Sequence, residues 1–208
     1  MPARSDDTSD DGVAEPFEAR LVARCRRGDP EAFDELVDRY QSKVFNLAYR
    51  LLGDPDEAAD VSQEAFLRIY RGIQRFHGGS ALTTWVYRIV HNLCLDEMKK
   101  KRRRPQVASD PGDAEETGAE TLLDRLPDER AEPQAQILGR ERDLLVRAAI
   151  ARLKEHHRDV LVLYDLQGLS YNEIAAILST NVGTIKSRLN RARLALAEEL
   201  DGVRELLG

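Results

Sequence analysis

Side chains that can contact nucleic acid are concentrated near the end of the chain, between Gly183 and Arg193. Lysine and arginine suit phosphates and base edges, and an amide can both donate to and accept from a base. At helical spacing one apolar stripe forms from Ile185, Leu189, Ala192, Leu196 and Leu200. The opposite side then carries Thr184, Ser187, Asn190 and Arg191, with Lys186, Arg188 and Arg193 on its flanks.

The residues just before this helix predict a shorter helix that ends in a tight turn. Ser170 is a strong N-cap, and Glu173 is placed to complete a capping box. Leu169 and Ile174 are spaced for a hydrophobic staple, and a second helix is expected to begin near Gly183. A capped helix, a turn and a longer helix with a basic row together indicate a helix-turn-helix. The alternative is an ordinary helical hairpin whose basic face is only solvated.

The net charge of −6 is divided unevenly along the chain. Residues 1–18 carry −5 and residues 105–136 carry −7, whereas residues 19–104 carry +5 and residues 137–208 carry +1. The acid therefore lies in a tail and a linker. The remaining parts are basic or near neutral, which is compatible with a nucleic-acid partner.

The apolar pattern predicts an all-α protein with two small helical domains joined by a flexible acidic linker. Leu, Ala, Glu and Arg are abundant, and no stretch alternates with the period of a strand. We expect a disordered acidic tail at 1–16, a four-helix domain at 17–104, a linker at 105–136 and a second domain at 137–208. Asp29-Pro30 and Asp54-Pro55 each carry a helix-start signal, with Asp as the cap and Pro at the first helical position.

The fourth predicted helix of the first domain combines an apolar face with a polar flank. Trp85 borders that face, and Arg88 and Asn92 lie beside it. Trp85 on its own favours a core position with a solvated edge. The helix ends in six consecutive cations, residues 99–104. That run either compensates the helix dipole or contacts phosphates, and its length favours phosphates.

Two cysteines, Cys25 and Cys94, lie far apart inside helical patterns, which fits a reducing compartment without disulfides. The acidic N-terminus does not resemble a signal peptide, and no apolar run approaches the length of a membrane span. We therefore expect a soluble cytoplasmic protein. An enzyme with a metal site is a further alternative, because His91 and Cys94 are three apart and His156 and His157 are adjacent. Without a second close pair of ligands, we expect no metal, no cofactor and no catalytic residue.

Four stretches of the chain, together with their order and spacing, resemble the extracytoplasmic-function sigma factors. These are small members of the bacterial sigma-70 family that keep only the second and fourth conserved regions. The stretches are DELVDRYQSKVFNLAYRLLGDPDEAADVSQEAFLRIYRGIQRF, TTWVYRIVHNLCLDEMKKKRRR, GLSYNEIAAIL and VGTIKSRLNRARLAL. The resemblance implies a protein that binds core RNA polymerase, recognises promoter DNA, opens it and starts transcription of a stress or signal regulon. It further implies control by an anti-sigma factor and a linker that runs toward the polymerase cleft.

The resemblance assigns the first domain two tasks. Docking on the clamp helices of the polymerase would use a mixed polar face with an exposed aromatic: Asp60, Gln63, Glu64, Phe66 and Arg68. Opening and holding the −10 element would use the loop His77, Gly78, Gly79 and Ser80, and then Trp85, Arg88, Asn92, Lys99, Lys100 and Arg102. Stacking surfaces, cations and an amide suit a separated strand.

The second domain would place its second helix in the major groove of the −35 element. The matching base-facing positions are Lys186, Ser187, Asn190 and Arg191, and those nearer to phosphates are Tyr171, Gly183, Thr184 and Arg188. A different class of protein, a two-domain regulator that does not bind polymerase, would explain this domain equally well. It would not explain the Trp/Arg/Asn flank, the loop and the cationic helix end of the first domain.

Overall fold

The computed structural model describes residues 16–103 and 145–207, and this part of the chain folds into helices, turns and loops with no strand. The helices are α1 (Pro16–Arg26), α2 (Pro30–Leu52), α3 (Pro55–Gly72), α4 (Leu82–Arg103), α5 (residues 145–152), α6 (Glu155–Leu161), α7 (Tyr171–Ile177) and α8 (Val182–Leu207). The predicted all-α class with two helical domains is confirmed. The predicted linker and all but the last residue of the predicted tail lie outside the described residues.

Both predicted helix-start signals in the first domain are confirmed. The carboxylate of Asp29 accepts from the backbone N–H of Ala32 at 3.3 Å, at the beginning of α2. The carboxylate of Asp54 accepts from the N–H groups of Asp56 and Glu57 at 2.9 and 3.0 Å, at the beginning of α3. These bonds satisfy donors that have no partner inside the first helical turn.

The core of the first domain lies between α2, α3 and α4. Leu36, Leu47 and Leu51 of α2 are fully buried, as is Ile69 of α3. Tyr40 is also fully buried, and its hydroxyl lies 3.0 Å from the Glu18 carboxylate and from the Thr83 hydroxyl. The apolar stripe of α2 therefore sets the position of α4, the helix that carries the predicted −10 residues.

The second domain contains the predicted helix-turn-helix. The capping box of α7 is formed: the N–H of Ser170 donates to Glu173 at 2.8 Å, and the N–H of Glu173 donates to the Ser170 hydroxyl at 3.3 Å. Before it, α6 continues into a wider π-helical turn, Val162–Leu166. Asn181 accepts from the N–H of Thr184 at 2.8 Å and caps the first turn of α8.

The two domains pack against each other, and the back of α4 forms much of the contact. There His91 Nε2 lies 3.1 Å from the Asp159 carboxylate of α6. The Tyr87 hydroxyl donates to Gln167 at 3.0 Å. The guanidinium of Arg158 donates to the carbonyl oxygen of Leu51 at 2.7 Å, at the end of α2. No sequence pattern predicted this contact.

Candidate nucleic-acid interface

One side of α8 is buried and the other is open, as the apolar stripe predicted. Ile185, Leu189 and Ala192 are at most 2% exposed. The predicted base-facing residues all lie on the exposed side: Lys186, Ser187, Asn190 and Arg191. A helix that presents two cations, a hydroxyl and an amide in one row has the donors needed to read base edges in a major groove.

The residues predicted to lie nearer to phosphates occupy more varied positions. The Thr184 hydroxyl donates to Asn181 at 3.0 Å, and Thr184 and Arg188 are both half-buried. Gly183 is exposed in the first turn of α8, where backbone N–H groups favour an anion. The ring of Tyr171 lies beneath Lys186, with the ammonium nitrogen 5.2 Å from the ring centroid. The phosphate contacts themselves stay predictions.

The outward edge of α4 carries Arg88 and Asn92 one turn apart, both exposed. Trp85 is half-buried beside them, with its ring 5.1 Å from that of Phe76. The ring also packs closely on Gly72, where an added Cβ would lie 3.1 Å from the Trp85 side chain. The expected core position with a solvated edge therefore describes Trp85 well. Gly72 was not recognised from the sequence, because the close approach depends on the angle between α3 and α4.

The loop between α3 and α4 holds the other predicted −10 residues. His77, Gly78 and Gly79 are exposed and Ser80 is half-buried. Gly78 has a φ of 74°, a left-handed conformation that favours glycine. Since the loop leads directly into α4, these residues lie on the chain immediately before Trp85 and its polar flank.

Four of the exposed cations at the end of α4 are paired with carboxylates. Lys99 lies 3.9 Å from Asp96, and Lys100 lies 2.6 Å from Glu97. Lys101 pairs with Glu57 of α3, and Arg102 pairs with Glu155 of α6. Exposed pairs contribute at most about 1 kcal/mol each, so a phosphate can replace these partners. Contact with DNA at Lys99, Lys100 and Arg102 stays a prediction.

The predicted polymerase-docking residues lie along α3. Asp60, Gln63 and Arg68 are exposed, and Arg68 pairs with the half-buried Glu64 at 2.9 Å. The expectation that Phe66 is the exposed aromatic was wrong. Phe66 borders the buried stripe of α3, and its ring packs partly against the core. The large exposed side chains nearby are those of Leu67 and Tyr70, at 50% and 61% exposure.

The side chains that suggested a metal site serve other purposes. His91 bonds Asp159, and the rings of His156 and His157 lie 4.3 Å apart. Cys94 is a buried free thiol, and burial raises its pKa to about 12. Within residues 16–103 and 145–207, no three His, Cys, Asp or Glu side chains are grouped to hold a metal ion. In the same part of the chain, no helix has the length and apolar character needed to cross a membrane.

Geometry therefore defines an all-helical protein with a helix-turn-helix in one domain and a cationic, aromatic helix edge in the other. Family models agree: Sigma-70 region 2 matches residues 36–104, and Sigma-70 region 4 matches residues 143–196.

Relatives match over most of their length. The chain is 39% identical to the RNA polymerase sigma-H factor of Pseudomonas aeruginosa, over 87% of this chain and 92% of that protein. It is 35% identical to the extracytoplasmic-function sigma factor SigW of Bacillus subtilis, over 87% and 95%. It is 40% identical to the sigma-E factor of Escherichia coli, over 85% and 90%. The chain belongs to the extracytoplasmic-function group of the sigma-70 family, the sigma factors of bacterial RNA polymerase.

Solved structures agree on the fold. The CnrH structure, solved with the cytosolic domain of CnrY, superimposes with a TM-score of 0.61 at 22% identity, over 88% of this chain and 96% of that one. The Bartonella quintana sigma factor RpoE, solved with the anti-sigma factor NepR, superimposes with a TM-score of 0.60 at 24% identity, over 81% and 96%.

Proposed function

We propose that α8 reads the −35 element of the promoter in the major groove. The observation that carries this role is the exposed row of Lys186, Ser187, Asn190 and Arg191 opposite the buried stripe of the same helix. Lys186 and Arg191 supply donors to base edges, and Arg188 supplies charge toward the phosphate backbone. The N-terminal turn of α8, with Gly183 and Thr184, then faces a phosphate together with Tyr171.

In this proposal the first domain opens and holds the −10 element. A separated strand needs surfaces for stacking and cations for its phosphates. The loop at 77–80, the edge of the Trp85 ring and Arg88 provide these, and Asn92 provides an amide for the edge of an extruded base. Extrusion costs a few kcal/mol, and a preformed pocket offsets part of that cost. Lys99, Lys100 and Arg102 then leave their carboxylate partners for the phosphates beyond.

The two domains, proposed at residues 17–104 and 137–208, must separate for both contacts to form at once. Elements at −10 and −35 lie about 25 base pairs apart, which is about 85 Å at a spacing of roughly 3.4 Å per base pair. A compact chain of this length has a radius of gyration of about 17 Å, and hence a diameter near 45 Å. The packed arrangement of α4 on α6 and α7 is therefore a state that precedes promoter binding.

Partners follow from the same assignment. The exposed Asp60, Gln63 and Arg68 of α3 dock on the polymerase clamp, together with Glu64 and Phe66. An anti-sigma factor holds the protein inactive, as the RpoE–NepR pairing of a structural neighbour suggests. The protein acts in the cytoplasm as an initiation factor rather than an enzyme.

Titration with core RNA polymerase tests this function directly. We expect the purified protein to bind the core enzyme and to confer initiation from a subset of promoters, which sequencing of the bound DNA would identify. A two-domain regulator would instead bind DNA without polymerase, and the core enzyme would not initiate from those promoters. A matched control is the triple variant Lys186→Ala, Asn190→Ala, Arg191→Ala, which should still assemble with polymerase but lose −35 preference.

A further inference from the structure

Four side chains form a continuous column along the flank of the helix-turn-helix. The Lys186 ammonium nitrogen lies 5.2 Å from the centroid of the Tyr171 ring. That ring stacks on Tyr164, with centroids 4.9 Å apart and planes 11° from parallel. The Arg193 guanidinium lies over the ring of Tyr164, 5.4 Å from its centroid. Both cations belong to α8, and both rings belong to the segments before it.

The lower end of the column is fixed by a bidentate ion pair. Arg193 donates to the two carboxylate oxygens of Asp165 at 2.6 and 3.3 Å. This bond raises the pKa of the Arg193 guanidinium. Asp165 and Tyr164 are neighbours in the π-helical turn Val162–Leu166, where the widened backbone changes the directions of its side chains. The Arg193 side chain is therefore held by contacts within its own domain, although it lies on the proposed recognition helix.

At the other end of the column is Lys186, which we propose contacts the bases of the −35 element. Lysine is a compact charge on a flexible stem, and an unrestrained lysine loses rotamer freedom when it docks on a base. An aromatic face beneath the ammonium limits that freedom before DNA arrives. Stacking on Tyr164 in turn limits the rotation of the Tyr171 ring.

We propose that Tyr164 is a positioning residue for −35 recognition: through Tyr171 it holds Lys186 in the orientation that meets the base. Tyr164 is itself half-buried and lies two positions along the column from the DNA-facing cation. This inference rests on the proposed role of Lys186. A competing explanation is that the column only joins α6, α7 and α8 and has no effect on sequence preference.

The test compares Tyr164→Leu with Tyr164→Phe in the full chain assembled with core polymerase. Tyr164→Leu removes the ring, whereas Tyr164→Phe keeps it and removes only the hydroxyl. Dissociation constants are measured on a promoter and on the same DNA with a scrambled −35 element, at several salt concentrations. The preference for the −35 element is the dissociation constant on scrambled DNA divided by that on the promoter. We expect Tyr164→Leu to lower this ratio by about three- to tenfold, the order expected for one weakened cation–π arrangement. Its salt slope should be unchanged, because no phosphate contact is lost.

Tyr164→Phe should behave like the wild type in this assay. Thermal unfolding of both variants, followed by circular dichroism, reports the structural role separately. An equal loss of affinity on both DNAs, together with a lowered melting temperature, would overturn the proposal. A contact that only holds helices together should not change the preference for one DNA sequence.

A double-mutant cycle with Lys186→Ala separates this inference from the assignment on which it rests. If Tyr164 acts through Lys186, then Tyr164→Leu should have no further effect on the ratio in the Lys186→Ala background. An equal loss in both backgrounds would show that Tyr164 does not position Lys186. If Lys186→Ala alone leaves the ratio unchanged, the base-facing role of Lys186 is itself wrong, and the inference fails with it.

Discussion

Helix α8, with the proposed −35 residues, and helix α4, with the proposed −10 residues, each present a polar row opposite a buried side, but they differ in what surrounds them. The row on α8 faces solvent, and the covered side of that helix is buried within its own domain. The α4 helix is held on one side by α2 and α3 and on another by α7 of the second domain. The edge with Arg88 and Asn92 is open, as is the cationic end of the helix. The proposed −35 surface is therefore complete in one domain, whereas α4 carries both the proposed −10 edge and the contact with the second domain.

The contact that covers α4 is polar at its centre. His91 and Asp159 are 4% and 6% exposed and share one bond of 3.1 Å. The other nitrogen of His91 and the other oxygen of Asp159 are buried without a hydrogen-bond partner among the described residues. A buried polar atom without a partner costs about 1–3 kcal/mol. This limits the net stability of the closed arrangement and is consistent with the proposed separation of the domains before promoter binding.

Burial also affects Tyr87, which lies in the same contact. Its hydroxyl donates to Gln167, and burial raises its pKa to about 12. Tyr87 therefore stays neutral over the physiological range and serves as a hydrogen-bond donor between the domains.

The largest expected effect comes from uncovering α4 with His91→Leu. The change leaves the Asp159 carboxylate buried without its partner, which should disfavour the closed arrangement by about 3 kcal/mol. Small-angle scattering of the free protein should show a larger radius of gyration and a more extended shape. His156→Leu, at an exposed histidine, is the matched control. An unchanged radius in His91→Leu would mean that the apolar part of the contact is sufficient to keep the domains together.

The next effect concerns the open edge of α4 and should appear only in strand opening. Asn92→Ala should remove the proposed base contact, worth about 1–3 kcal/mol, while the proposed −35 contacts should still hold duplex promoter. Permanganate reactivity of −10 thymines in the holoenzyme should fall, and a template mismatched around −10 should rescue only part of the loss. If Asn92 is merely solvated, the variant should stabilise α4 slightly and leave thymine reactivity undiminished.

On α8 the corresponding change is Arg191→Ala, with an expected loss of about 1–3 kcal/mol and a relaxed preference at one −35 position. Arg188→Ala should instead weaken binding evenly across sequences and flatten the salt dependence. Binding to specific and scrambled −35 DNA at several salt concentrations distinguishes the two. Equal losses on both DNAs for Arg191→Ala would contradict the base-facing assignment.

The smallest effect is expected on α3, away from both DNA surfaces. Asp60→Lys should weaken assembly with core polymerase by about 1 kcal/mol, mainly through slower association, as expected at the rim of an interface. Helical content and melting temperature should be unchanged because Asp60 is exposed. Asp38→Lys, a reversal at an exposed carboxylate of α2, offers a control outside α3. A large loss of stability in Asp60→Lys would instead indicate a structural role.

What the sequence by itself determined is local in origin. The caps at Asp29, Asp54 and Ser170 depend on a side chain and the backbone within three residues of it. The stripe of α8 depends only on helical spacing, so its open row was predicted together with its buried side. Asn181, which caps α8, carries a similar local signal, since asparagine before a helix favours that role.

Tertiary structure alone decided the features that join distant segments. Phe66 and Tyr70 are four apart on the same edge of α3, yet the first ring packs on the core and the second is exposed. His91 and Asp159 are 68 positions apart, and Tyr164 meets Arg193 across the fold of the second domain. Such pairs depend on the angles and distances at which helices pack. Helical spacing determines which face of a helix is apolar, but it does not determine which helix covers that face.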